Sequence, residues 1–270
     1  MRKVLKVEPK TELIGIASEV VYMQKPYWCN ANVRQLKLSI MKPRHWYPYD
    51  NMDRKNPVIF FVCGGGFAKQ DINVWNAELA YFAKHGYAVI TAEYSVLPFT
   101  KWPDQIQELK TAIRYIRAHS RELDLDTERI AVMGESAGGY LAAALAVTSG
   151  TREFDTGDYP EQSSAVQCAL PWWPVIDLSK DKNLGNMDME GFIDCAAWVT
   201  ADTPPMCLFH GTRDHLVPDS QSEYMYEALQ KAGVDSDLYI IEGADHADLL
   251  IMQDEVKELM LQFLDRHIRK

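Results

Sequence analysis

The residues most able to do chemistry in this chain begin with a serine set among glycines. Gly134-Glu135-Ser136-Ala137-Gly138-Gly139 follows the apolar run Ile130-Ala131-Val132-Met133 and leads into the alanine-rich run from Tyr140 to Val147. Strand, sharp turn and helix in that order put the Ser136 hydroxyl on an elbow at a helix N-terminus, with glycines where backbones must pass closely. A G-x-S-x-G string arises by chance in about one chain in ten of this length, so its company decides its meaning. A serine hydroxyl is a weak nucleophile; it needs a base, and the base needs a carboxylate to orient it. Asp214, in His210-Gly211-Thr212-Arg213-Asp214-His215, and His246, in Glu242-Gly243-Ala244-Asp245-His246, supply them in the order serine, acid, histidine. An acyl-transfer site also needs N–H groups aimed at a developing oxyanion. Gly65 and Gly66, in Cys63-Gly64-Gly65-Gly66-Phe67, and Ala137 after the serine are the candidates.

These groups lie far apart in sequence, so strand ends must gather them. Residues 57–62 are a continuous apolar run typical of a strand buried on both faces, and it delivers the chain into the three glycines. Further strands are predicted at residues 87–94, 130–133, 165–170, 206–210 and 238–242. Helices are predicted at 73–85, 104–121, 140–147, 220–232 and 253–268, with Gly86 and Gly233 as stops. Residues 13–22 and 33–41 alternate and predict an antiparallel pair. The recurring strand, loop, helix order predicts an α/β fold with a mostly parallel, doubly wound sheet. Its carboxyl edge carries Ser136, Asp214 and His246, where ligands bind in such sheets. Residues 177–203 are the least periodic stretch and read as a small cap or an extended loop over the strand ends, within a single domain spanning 1–270.

Composition excludes several other classes. With 47% hydrophobic and 24% charged residues, the chain is of ordinary globular make-up. A formal net charge of -10 opposes binding to a phosphate backbone or an anionic membrane, so neither nucleic acid nor membrane is expected as a partner. The five cysteines are scattered without zinc-ligand spacing, which predicts reduced thiols, no metal and a cytoplasmic setting. No apolar run approaches a bilayer span and no signal-peptide pattern opens the chain.

Together the four segments resemble the α/β-hydrolase fold. Within it they are similar to the esterase branch of hormone-sensitive-lipase-like carboxylesterases and feruloyl- and acetylxylan-esterase-like enzymes. The resemblance runs from about Val58 to His246 and takes in Ala92-Glu93-Tyr94-Ser95, Trp102-Pro103-Asp104 and Thr200-Ala201-Asp202-Thr203-Pro204-Pro205. It implies a cofactor-free serine carboxylic-ester hydrolase acting through an acyl-enzyme on short, acetyl-like esters of small molecules or carbohydrates. Cys63 stands where the family has the histidine of His-Gly-Gly-Gly; the amides remain, so the swap bears on substrate range and loop rigidity rather than on activity. An oligopeptidase-like serine peptidase shares the elbow but carries an extra gating domain for which this chain has no spare length. A non-catalytic binding protein on the same fold would be expected to have lost a triad member, and all three are present.

Simpler roles compete at several positions. Asp245 and Asp248 are rival carboxylates beside His246, and His85, His119, His210 and His215 read as structural or solvated. Cys63 at a buried strand end reads as a packed thiol. Phe67, Phe99, Trp172 and Trp173 are the aromatics that could line a pocket, with core packing as the competing role; Phe67 and Trp173 are singled out, Trp173 because a bulky residue between two prolines at a strand exit is awkward to bury.

Overall fold

The apolar runs in the middle of the chain become strands covered on both sides. In β3 (Asn56–Val62) every residue is buried; Val58, Phe60 and Val62 enter one core layer, Ile59 and Phe61 the other. β5 (Leu125–Glu135) and β7 (Met206–Gly211) divide in the same way. Ile130, Val132, Met206 and Leu208 face the first layer and Ala131, Met133, Cys207 and Phe209 the second. Burial on both faces is why these segments read as unbroken apolar runs.

The computed structural model describes residues 1–8, 10–27, 32–44, 54–180 and 190–269. The other strands are β1 (Ile14–Tyr27), β2 (Asn32–Pro43), β4 (Ala88–Ala92), β6 (Cys168–Trp172) and β8 (Ser236–Ile241). All eight form one sheet in the order β1-β2-β4-β3-β5-β6-β7-β8. β1 to β2 and β2 to β4 are antiparallel, and every pairing from β4 to β8 is parallel. Helices α1 (Asn76–Lys84) and α5 (Asp254–Ile268) cover one face with Leu79, Phe82, Met260 and Phe263. Helices α2 (Asp104–Ala118), α3 (Ala137–Val147) and α4 (Ser220–Ala232) cover the other with Ile106, Leu109, Leu141 and Met225. On α2 the stripe Ile106, Leu109, Ile113 and Ile116 recurs at helical spacing and is wholly buried, as its sequence period requires. α3 is buried at every position, and its alanines and glycines let it lie close against the sheet.

The sheet and helices follow the expected order, with shifted ends. β5 starts at Leu125, ahead of its apolar run, because Leu125 and Asp126 pair with Asn56 and Pro57. β6 continues through Pro171 and Trp172, which pair with Gly134 and Glu135, so these two residues are strand rather than exit loop. β1 and β2 run past the predicted ends at 22 and 33, so the turn-like stretch 26–32 between the predicted strands is partly strand: Pro26 pairs with Val33 and Tyr27 with Asn32, while positions 28–31 lie outside the described residues.

The described parts of 177–203 form loop with two short 3-10 turns, Leu178–Lys180 and Ala196–Trp198, fitted against α3. Cys195 and Ala196 are buried, and Phe192, Ile193 and Trp198 pack against the core. The Tyr140 hydroxyl donates to Ile193 O at 3.0 Å and accepts from Ile193 N at 2.9 Å. Residues 181–189, with Met187 and Met189, lie outside the described residues.

Candidate active site

Ser136 sits between β5 and α3 with φ 55° and ψ -120°, a positive-φ conformation that a residue with a side chain adopts only when its surroundings enforce it. The enforcement is close packing of α3 on the sheet. A Cβ on Gly138 would fall 2.1 Å from Val62 O, and one on Gly134 would fall 2.4 Å from Gly138 O. Both positions must therefore be glycine for the elbow to close.

The loops after β7 and β8 bring Asp214 and His246 to this point. His246 Nε2 lies 3.0 Å from Ser136 Oγ, and His246 Nδ1 lies 2.7 Å from Asp214 Oδ2. An ionised carboxylate can only accept, so Nδ1 carries the proton and Nε2 is free to accept from the serine hydroxyl. Asp214 Oδ1 accepts from the amides of Leu216 and Val217 at 3.0 and 2.8 Å. Burial pushes the Asp214 carboxyl up, but hydrogen bonds from His210, His246 and the Val217 amide outweigh it and hold the group well below the usual carboxylate range.

The neighbouring histidine and carboxylates have other tasks. His210 is fully buried; its Nε2 lies 2.9 Å from Val217 O and 3.3 Å from Asp214 Oδ2, both acceptors, so that nitrogen bears the proton. Its Nδ1 then accepts from Ser222 Oγ at 2.7 Å. Asp245 accepts from the His246 amide at 2.7 Å and pairs with His215. Asp248 accepts from the Asp245 and Leu250 amides. These two carboxylates shape the histidine loop, and the imidazole itself is bonded to Asp214.

The pocket over Ser136 has a volume of about 690 Å³, and Gly65, Gly66, Phe67, Ala137 and His246 all line it. Tyr94 in the loop after β4 donates its hydroxyl to Cys63 O at 2.8 Å, anchoring the strand that leads into the glycines. Among the described residues, no carbonyl or side chain takes a hydrogen bond from the Gly65 or Gly66 amide. Phe67 lines the pocket, its ring edge-on to Tyr140 and Phe192 at 5.7 and 5.0 Å.

Trp173 departs from its expected place. It is fully buried and absent from the pocket wall, packed against Trp75, Trp172 and His246 at ring separations of 5.9, 5.9 and 6.0 Å. Its backbone N–H donates to Phe209 O at 2.6 Å and its φ is 34°, which turns the side chain into the layer beneath the site. Trp75 is the indole that lines the pocket instead. Sequence reasoning also passed over Glu135, which lines the pocket beside Ser136 and accepts from Gly64 N at 2.5 Å. Its only signal was an acid in the second position of the serine motif.

Cys63 is a packed thiol. It is buried, donates to Asp71 O at 3.2 Å, and burial together with Glu135 and Asp71 pushes it far above the usual thiol range. Among the described residues, no group of three or more histidines, cysteines and acids is arranged to hold a metal. No helix among them is long and apolar enough to cross a membrane.

Known proteins resemble this chain in sequence and in fold. Esterase 2 of Thermogutta terrifontis superposes with a TM-score of 0.77 at 28% identity, covering 93% of this chain and 92% of that one. A truncated carbohydrate esterase from gut microbiota superposes with a TM-score of 0.78 at 21% identity, over 98% and 99% of the two chains, and shows the shared fold. The probable carboxylic ester hydrolase LipM of Mycobacterium tuberculosis is 28% identical over 195 residues, 65% of this chain and 45% of LipM. The chain spans about half the length of the curated relatives it matches. The family described as BD-FAE matches residues 46–229, from ahead of β3 to within α4. With the sheet order and elbow described above, that match makes this chain a member of the BD-FAE family with the α/β-hydrolase fold.

Proposed function

We propose that the chain is a serine carboxylic-ester hydrolase working through an acyl-enzyme. The observation that carries this reading is the unbroken hydrogen-bonded series from Asp214 through His246 to Ser136 at the wall of a 690 Å³ pocket. Ser136 Oγ attacks the ester carbonyl while His246 Nε2 takes its proton, and Asp214 fixes the tautomer and stabilises the imidazolium. The carbonyl oxygen becomes an oxyanion held by the amides of Gly65, Gly66 and Ala137. His246 returns the proton to the leaving alcohol, and water then releases the acid by the same steps.

Short acyl groups are the proposed substrates. Thermogutta terrifontis esterase 2 has been solved with propionate and with butyrate bound, and the gut carbohydrate esterase shares the fold. Phe67, held by Tyr140 and Phe192, bounds the space beside Ser136 and favours a small acyl group. A carbohydrate or other small alcohol fits the open side of the pocket, where Lys69, Gln70 and Asp71 offer polar contacts. The four described buried thiols fit a reducing compartment.

The test is hydrolysis of p-nitrophenyl acetate, propionate and octanoate by the wild type and by Ser136→Ala. The wild type should favour the two short esters, and the variant should lose at least about 10⁴-fold in kcat with its thermal unfolding little changed. Undiminished turnover in Ser136→Ala would remove the serine from the mechanism.

A further inference from the structure

The oxyanion loop has a cysteine, Cys63, ahead of its glycines and so no imidazole to brace it, yet it is not left unbraced. Glu135 ends β5 directly before Ser136 and reaches across to the exit of β3, where its Oε1 accepts the Gly64 amide at 2.5 Å. Gly64 and the carboxylate are in full contact: a Cβ at position 64 would lie 2.6 Å from Oε2 and 2.7 Å from Oε1. Glu135 is only 8% exposed, and its charge is opposed by no lysine or arginine among the described residues that set its pKa. Burial raises its carboxyl above the usual range, opposed by the Gly64 amide, the Trp75 indole, His246 and Trp173. A carboxyl buried without a cation costs stability unless hydrogen bonds satisfy it, and the Gly64 amide supplies such a bond.

Resting on the hydrolase reading, we propose that Glu135 is the positioning residue of the oxyanion hole: it clamps Gly64 so that the following Gly65 and Gly66 amides face Ser136. The Gly64 amide is thereby spent on the clamp and does not meet the oxyanion. The next two amides gain a fixed origin, because Tyr94 holds Cys63 O from one side and Glu135 holds Gly64 N from the other. The clamp sits on the residue next to the nucleophile, so the nucleophile and the donors share one rigid reference.

Reach and charge are separable at this position. Glu135→Gln keeps an acceptor oxygen at the same reach without the charge, and Glu135→Asp keeps the charge but withdraws it by one methylene. The expected result is that Glu135→Gln retains kcat for p-nitrophenyl acetate within about ten-fold. Glu135→Asp and Glu135→Ala should lose about 10²-fold or more in kcat with KM within about three-fold, since a misplaced donor acts on the transition state. Binding of phenylboronic acid, a mimic of the tetrahedral intermediate, should weaken in the same order. The Gly64 amide, followed by proton-nitrogen NMR, should show strong downfield shift and slow exchange in the wild type and Glu135→Gln and lose both in Glu135→Asp.

Full activity in Glu135→Ala, or Glu135→Asp outperforming Glu135→Gln, would overturn the proposal, as would a Glu135→Gln protein that does not fold. If the wild type hydrolyses no ester, the hydrolase reading fails, and the Gly64 amide signal still decides whether the clamp exists.

Discussion

At the scale of single residues the site depends on one carboxylate with a full set of donors. Asp214 is bonded by His246, His210 and two loop amides, and the net effect lowers its pKa despite burial. A carboxyl depressed in the folded state adds stability that is fully present above its unfolded value of about 3.9 and is lost as pH falls from there toward the folded value. Asp214→Asn keeps the shape but presents an amide to His246, favouring the wrong tautomer, and should lower kcat about 10⁴-fold. It should also be less stable than the wild type at pH 7, and the gap in Tm between the two should begin to narrow as pH falls below about 4 and go on narrowing at lower pH. A gap that stays constant from pH 7 to pH 3 would show that the charge of Asp214 contributes nothing to folding. Asp214 could be told from Asp245 in the sequence because it follows a different strand from His246, whereas Asp245 adjoins the histidine on the same loop. The role of Glu135 could not, because nothing in the spacing shows that Gly64 lies across from it. Trp173 misled for a related reason: its flanking prolines indicated a strand exit, whereas its burial follows from the β7 carbonyl that its amide bonds.

At the scale of elements the decisive contact is the packing of α3 on β3. The elbow was plain in the sequence, since an apolar run, two spaced glycines and an alanine-rich helix have few other readings. The ends of β5 and β6 were not, because polar Asp126 and Pro171 are held in strands by pairing with neighbours distant in sequence. A methyl group at Gly138 would strike Val62 O and Cys63 at 2.1 and 2.7 Å, and both are backbone atoms at the end of the oxyanion strand. Gly138→Ala should therefore cost roughly the 1–3 kcal/mol typical of overpacking, a fall in Tm of about 2–6 °C. Gly150→Ala, with nothing within 4 Å of the new Cβ, is the matched control and should stay within about 0.5 kcal/mol of the wild type. Equal Tm values for the two variants would mean that α3 can move away from β3 freely, and the elbow would then lack the rigidity argued for it.

At the scale of the whole molecule the sheet separates two apolar layers, and each holds cysteines that report on it. Cys195 lies in the layer under α2, α3 and α4, while Cys63, Cys168 and Cys207 lie in the layer under α1 and α5. All four are free and buried, and burial raises each thiol above its ordinary range, so neither access nor thiolate is available in the folded protein. Alkylation with iodoacetamide at pH 8, mapped by mass spectrometry, should leave these four unmodified over hours and leave the proposed ester hydrolysis unchanged. Because the sheet is common to both layers, neither should open without the other. In rising urea the four should become reactive together, with free energies of opening that match the global unfolding transition. If Cys195 reacted at lower urea than the other three, the two faces would be separate cooperative units, and the active-site loops that span the sheet edge would belong to the weaker one.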